Sequence, residues 1–349
     1  MVDKYGDRFY LVREPTSRAG RLGPEGLHSR QLVCRLGLKR RENSRAYCAR
    51  VLGALLVLTS LGVIEPVAGQ DMEARAYSVS PVGTNIVVVG YSRSTGDLNF
   101  DPSLPVTNGK AAVNSAAAGY IRSIDLFGRS ANVAVILPYT WGHLQGNIAG
   151  QFQEAQRSGL RDPMVRFAVN LYGARAMNLK EFSTYRQKTN IGASLVVAAP
   201  LGQYDPAKAV NLGTNRWGFK PEIGISRAVD RVYLDLYGGA WIYTANKNFQ
   251  GGTRKQDPII GTQFHLSYIV SKKLWAAFDA TVYTGGRTTT NGIRGDDLQR
   301  NSRVGGTLSY NVARRQSLKF VYSKGVITTI GGDFQSVSFA YQYVWGRGL

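Results

Sequence analysis

The sequence predicts an all-β protein, a transmembrane antiparallel up-and-down β-barrel of about twelve strands, the even number usual for a bacterial single-chain barrel. Three observations carry this. Apolar and polar residues alternate along stretches close to the ~9–11 residues with which a tilted strand crosses a bilayer. The connections alternate between short turns and long loops. The composition, with 40 glycines, 11% aromatic and 44% hydrophobic residues, fits a β protein rich in turns and rings.

The pattern is clearest from Asp257 to Gly286. Ile260, Thr262, Phe264, Leu266, Tyr268 and Val270 share one face of a strand, and Gln263, His265 and Ser267 share the other. After the turn Ser271–Lys272–Lys273, Leu274, Ala276, Phe278, Ala280 and Val282 oppose Trp275, Ala277, Asp279, Thr281 and Tyr283. Each strand thus has one greasy face and one polar or aromatic face. Strands of soluble sheets are commonly shorter, at ~5–6 residues.

The chain divides into an N-terminal extension with a secretory signal (residues 1–70) and the barrel (residues 71–349). Arg45 and Arg50 close a basic run, an apolar core spans Val51 to Ile64, and Val67–Ala68–Gly69 offers small residues for cleavage near Gly69 or Gln70. The apolar core is shorter than the ~20 residues of a spanning helix. Both cysteines, Cys34 and Cys48, precede it, and a cysteine-free remainder suits an exported chain without disulfides.

Ala74 to Pro81 reads as a short lead-in and Thr84 to Tyr91 as the first strand. Ser92 to Lys110 follows as a polar loop, with turn signals at Asp101–Pro102 and Asn108–Gly109. The second strand covers about Val113 to Ile124. The third carries Val133, Val135, Leu137 and Tyr139 outward and leads into a loop from Gly142 to Leu160. The fourth carries Val165, Phe167, Val169 and Leu171 outward and Arg166, Asn170 and Tyr172 inward. Gly173 to Lys188 breaks the pattern with one or two helical turns near residues 174–187. The fifth strand holds Ile191 to Ala199. The sixth sets Trp217, Phe219, Ile223 and Ile225 against Arg216, Lys220, Glu222 and Ser226. The seventh sets Val232, Leu234, Leu236 and Ile242 against Tyr233, Asp235, Tyr237, Trp241 and Tyr243. Loops are expected from Asn246 to Gln256 and from Thr284 to Arg300. The tenth strand carries Val304, Leu308, Tyr310 and Val312 outward. The eleventh carries Leu318, Phe320 and Tyr322 outward and Lys319 inward. The last aligns Val337, Phe339, Tyr341, Tyr343 and Trp345. Pro138 and Pro221 must then sit at bulges or strand ends, because proline gives no donor to a ladder. Tyr77, Tyr139, Trp141, Trp217, Tyr243 and Trp345 suit the aromatic girdles of a barrel.

Of the net charge of +20, the leader to residue 70 carries +6, and in the rest the basic residues fall at strand ends and in loops, without a basic patch interleaved with aromatics. That argues against nucleic acid and for outer-membrane lipid and lipopolysaccharide phosphates as partners. Phe339, Tyr341, Tyr343 and Trp345 resemble the C-terminal signal read by the barrel-assembly machinery. Gly346 to Leu349 follow, whereas the usual signal ends on an aromatic.

The inward faces nominate Arg166, Lys220, Glu222, Tyr233, Asp235, Tyr237, His265, Trp275, Asp279, Tyr283 and Lys319 as lumen-lining. Charges within a membrane protein need water or a partner. They fit a narrow pore whose rings and few polar groups select a small hydrophobic or aromatic solute. The alternative is a barrel filled by its own polar network, with a structural or adhesive role. His265 and Ser267, with Asp279 nearly opposite, also invite a lipid-hydrolase reading. No oxyanion-hole motif accompanies them, and no enzyme is expected. No metal or cofactor is expected either, since His143 and His265 are the only histidines after the leader and cysteine is absent there.

Local strings resemble an outer-membrane transporter family associated with the MetA pathway of phenol degradation. They are Ala199–Pro200–Leu201–Gly202–Gln203–Tyr204, Asn211–Leu212–Gly213–Thr214–Asn215–Arg216–Trp217, Tyr283 to Thr289, Asn291–Gly292, and Ile330–Gly331–Gly332–Asp333–Phe334. The resemblance spans roughly residues 80 to 345. It implies an outer-membrane barrel that passes aromatic or other small hydrophobic compounds, and it brings no catalytic residues.

Overall fold

A computed structural model describes residues 72–100, 106–148, 150–208 and 210–346. The leader with its signal, both cysteines and the Asp101–Pro102 turn signal lie outside the described residues. The chain forms β1 (Asn85–Asn99), β2 (Val106–Leu126), β3 (Arg129–Ile148), β4 (Gln151–Leu160), β5 (Met164–Tyr172), helix α1 (Leu179–Thr184) and β6 (Thr189–Ala198). Then come β7 (Gly218–Val229), β8 (Val232–Tyr243), β9 (Asn246–Phe249), β10 (Gly252–Gln256), β11 (Ile259–Ile269) and β12 (Leu274–Gly285). β13 (Thr288–Thr290), β14 (Ile293–Arg294), β15 (Gln299–Ala313), β16 (Gln316–Ile327) and β17 (Gly331–Trp345) complete it.

Twelve of these close a barrel in the order β1-β2-β3-β5-β6-β7-β8-β11-β12-β15-β16-β17. The first and last strands pair from Asn85↔Trp345 to Asn99↔Gly331 and leave no free edge in the wall. The burial pattern is inverted relative to a soluble protein. Ile260 is 59% and Phe339 55% exposed, while His265 and Asp279 are fully buried and Asp235 is 1% exposed. Only a molecule whose outside meets hydrocarbon and whose inside holds polar groups is stable with that arrangement.

Several loops expected from sequence are strands. β1 runs to Asn99 rather than stopping at Tyr91, β2 starts at Val106, and β3 continues to Ile148 with β4 folding back on it. Residues 246–256 and 288–294 contribute β9, β10, β13 and β14 to a separate four-stranded sheet. Beyond the bilayer both faces of a hairpin meet water, so the alternation fades although the ladder continues.

The prolines mark lapses in the ladder instead of strand ends. β3 pairs with β5 up to Ile136 and with β4 from Tyr139; Pro138 sits at this change of partner, where its carbonyl accepts from Arg161 N–H. Pro221 falls where pairing between β7 and β8 skips from Phe219↔Ile242 to Glu222↔Gly239. Tyr172, expected inward, is exposed, because a register shift between Asn170 and Tyr172 turns it outward. At the short-turn end, Asn178 caps α1 through a capping box with Glu181, and Ala174 and Met177 ahead of it are buried.

Candidate functional site

The lead-in does not lie at the membrane surface. Residues 72–77 run up inside the barrel. Val82 N–H donates to Met177 and Gly83 N–H to Ser123, which fixes their entry at the periplasmic, short-turn end. Glu73 N–H donates to Gln263 Oε1 at 3.2 Å, Arg75 N–H to Asp235 Oδ2 at 3.1 Å and Ala76 N–H to Tyr237 Oη at 3.1 Å. Three wall side chains on two adjacent rows, Gln263 and Tyr237 on one and Asp235 on the next, therefore satisfy a backbone that would otherwise lack partners inside the lumen.

Tyr77, expected in a girdle, is the anchor of this plug and is 2% exposed. Its hydroxyl donates to Glu222 Oε1 at 3.1 Å and lies 3.3 Å from Ser194 Oγ. Its ring meets Tyr237 edge-on at 5.1 Å, and the Arg166 guanidinium lies 5.5 Å from the ring centre. The space for the ring comes from Gly192 and Gly224, which are register partners on β6 and β7. A Cβ at Gly192 would lie 2.1 Å from Tyr77 Cδ1, and one at Gly224 2.5 Å from its Cε2. Two side chains are missing from the wall where the plug's ring sits.

The eleven nominated residues fall into connected groups on the interior side of their strands. Arg166, Glu222, Asp235, Tyr237, His265, Asp279, Tyr283 and Lys319 are buried, and Lys220, Tyr233 and Trp275 half-buried. Lys220 Nζ pairs with Glu222 Oε2 at 2.8 Å, and Gln263 Nε2 donates to the same oxygen at 3.2 Å. Arg75 stacks over Tyr233 at 4.3 Å and Trp275 at 5.5 Å, and Lys319 Nζ lies 6.0 Å from the Trp275 ring centre. His265 Nδ1 lies 2.6 Å from Asp279 Oδ1, and Thr307 donates to Asp279 Oδ2 at 2.6 Å. His265 Nε2 and Ser267 Oγ have no hydrogen-bond partner, so serine and imidazole are not engaged with each other. This is a carboxylate held by two neighbours inside the wall rather than an assembled nucleophile.

Toward the long-loop end the lumen is aromatic. Trp241 and Tyr243 stack at 6.0 Å, so Tyr243 faces inward and not into a girdle, while Trp217, Tyr139 and Trp141 are exposed as expected. Arg216, from the loop before β7, lies 4.2 Å from the Tyr243 ring centre and bonds Gln256. Burial holds its guanidinium pKa below the usual value. A void of about 10 Å³ between Lys220, Trp241 and Gln263 holds about one water. The loop itself is held by Asp162, whose carboxylate accepts from Gly202 N–H at 2.9 Å, Thr214 N–H at 2.8 Å and Thr214 Oγ1 at 2.6 Å.

Sequence reasoning missed Glu73, Arg75 and Tyr77 as lumen residues. The available signal was the pair of glycines at inward positions of adjacent strands. Among the described residues no group of three or more potential ligands could hold a metal ion.

A closed twelve-stranded barrel with a greasy outside and a polar inside is a bacterial outer-membrane protein. The sequence profile of the family described as "Putative MetA-pathway of phenol degradation" matches residues 88–346. The chain belongs to that family. In structure it is similar to the COG4313 outer membrane channel from Pseudomonas putida F1, with TM-score 0.66 and 22% identity over 78% of this chain and 99% of the other. More distant likenesses include the transport unit of the autotransporter AIDA-I from Escherichia coli (TM-score 0.46, 10% identity, 79% and 92% covered) and the CymD monoaromatic hydrocarbon channel (TM-score 0.39, 9% identity, 76% and 90% covered). No curated protein sequence matches the chain.

Proposed function

We propose that this protein passes small hydrophobic or aromatic solutes across the outer membrane and that residues 72–77 hold it shut in the conformation seen here. The observation that supports the reading is the plug itself. It is a separate segment, seated by a few polar contacts on a wall that is already polar. A permanently filled barrel has no need of that arrangement, since apolar packing would close it more stably. Arg166, Lys220, Glu222, Tyr233, Asp235, Tyr237, His265, Trp275, Asp279, Tyr283 and Lys319 line the route once the plug moves. The stacked rings offer apolar faces to a flat solute, and the cations beside them orient it. The family's description, which refers to phenol degradation, fits such a solute. The interior performs no chemistry in this reading.

The test is uptake into liposomes and conductance in planar bilayers, with phenol, toluene and straight-chain solutes of similar size. Faster entry of aromatic solutes than in protein-free liposomes is expected. Rates equal to those of protein-free liposomes, for full-length protein and for a variant lacking residues 72–77, would leave a structural or adhesive barrel as the answer. The assembly machinery remains the proposed reader of Phe339, Tyr341, Tyr343 and Trp345, and lipopolysaccharide the proposed partner of the basic loops.

A further inference from the structure

The periplasmic mouth of the barrel contains a second feature, away from the plug's anchor. A cavity of about 420 Å³ opens between the β11–β12 and β15–β16 turns. Lys272, Lys273, Arg314 and Arg315 stand around it, and no carboxylate lines it among the described residues. Its floor is neutral and polar. Asn311, Ser317 and Gln342 are register partners across β15, β16 and β17, and Ser317 Oγ donates to Gln342 Oε1 at 2.9 Å. The turns that carry the cations are pinned, since Asn311 N–H donates to the Lys273 carbonyl at 2.7 Å and Val344 N–H to that of Arg315 at 2.9 Å.

We propose that this vestibule is an anion-binding exit site, and that the solute it takes is a small aromatic carboxylate. Three observations point there. Lys272, Lys273 and Arg314, with no carboxylate among the described residues that line the cavity, make a region of positive potential that attracts oxyanions. The floor lies on the lumen face of its strands. Ser317 is buried on the same face as Lys319, while Leu318 between them is exposed to lipid. A lipid headgroup would meet the outer face, so the ligand is a solute in the pore. The row directly above the floor holds Trp275, Ser309, Lys319 and Ala340 in register. There Lys319 and Arg75 both lie over the Trp275 ring. A carboxylate at the turns meets cations, and a ring directed inward points toward the row of Trp275, just beyond the residues that line the cavity. The cavity is within the range of pockets that hold small ligands, roughly 300–1,000 Å³.

This deepens the channel reading and rests on it for its meaning, but it is testable without conduction. The full chain in neutral detergent is titrated with sodium benzoate by calorimetry. Benzyl alcohol supplies the ring without the charge, acetate the charge without the ring, and inorganic phosphate an oxyanion of another class. Benzoate is expected to bind saturably and more tightly than the other three, with affinity falling as salt rises. Lys272→Gln with Lys273→Gln, and separately Arg314→Gln with Arg315→Gln, are expected to weaken it on the order of tenfold each, the effect of losing charge-assisted contacts. Both pairs lie in exposed turns and leave the barrel's heat-dependent gel shift unchanged. The proposal is overturned if benzoate does not bind, if neither double variant weakens it, or if benzyl alcohol or phosphate binds equally well. Displacement of benzoate by phosphatidylglycerol in mixed micelles also overturns it, in favour of a headgroup site. Benzoate binding to a barrel that conducts nothing supports the exit site and refutes the channel. Conduction without benzoate binding does the reverse.

Discussion

Removing the plug's anchor is the sharpest perturbation the structure offers. Tyr77→Ala deletes a ring 2% exposed, a hydroxyl donating to Glu222 at 3.1 Å, an edge contact with Tyr237 at 5.1 Å and the ring beneath Arg166. Truncating a buried aromatic typically costs about 3–5 kcal/mol, and a hydrogen bond to a charged acceptor is worth about 1.5–3. These overlap, and the freed plug regains contact with water. A net shift of about 3–4 kcal/mol in favour of the unplugged state is the working figure, from the lower part of the truncation range. At ~1.4 kcal/mol per factor of ten, the ratio of open to plugged rises on the order of a hundredfold to a thousandfold. The assay is single-channel recording in planar bilayers, read as the fraction of time open. Gly192→Ala supplies an independent route to the same end, because the added Cβ would lie 2.1 Å from Tyr77 Cδ1. Overpacking of that kind costs about 1–3 kcal/mol, so a rise of roughly tenfold is expected. If both variants fold into heat-shifting barrels and record as wild type, the segment is not what closes the lumen.

Lys319→Glu and Lys220→Glu are each expected to lower anion preference, seen as a shift of the reversal potential across a salt gradient; an unchanged potential removes that residue from the pore wall. His265→Ala leaves the Asp279 carboxylate buried with Thr307 as its remaining partner and should destabilise the barrel by about 3–5 kcal/mol in urea unfolding. Ser267→Ala should be nearly neutral in the same assay, since its hydroxyl has no partner, and should leave any esterase background unchanged. A measurable activity lost in Ser267→Ala would bring back the hydrolase reading. Asp162→Ala removes the acceptor of three hydrogen bonds that hold the loop before β7. Limited proteolysis between residues 199 and 217 should accelerate severalfold, and an unaltered digestion pattern would count against that role.

The barrel wall was legible because lipid imposes a period of two on every strand that crosses it. Phe264, Leu266, Phe278, Val282 and Leu308 all point outward as the alternation requires. The ladders beyond the bilayer were not legible, since in β1 and β2 past Ser92 and before Val113 neither face is selected for grease. Parity alone would have kept Tyr243 out of the girdle, as it shares its face with Tyr237 and Trp241. Tyr172 required knowledge of a bulge that no residue type announces. The plug was invisible for another reason. Its backbone partners lie 160 to 190 residues away, and an aromatic near the start of a membrane strand looks the same locally whether it turns in or out. Gly192 and Gly224, read as a pair, hint that something must fill the gap they leave.

The segment inside the lumen leads into β1, and β1 is zipped to β17, the last strand of the barrel. Chain order therefore ties two events of biogenesis together. The seam cannot join until β17 arrives, and until then the interior is reachable from the side. Residues 72–77 can thus be laid in before the ring is sealed.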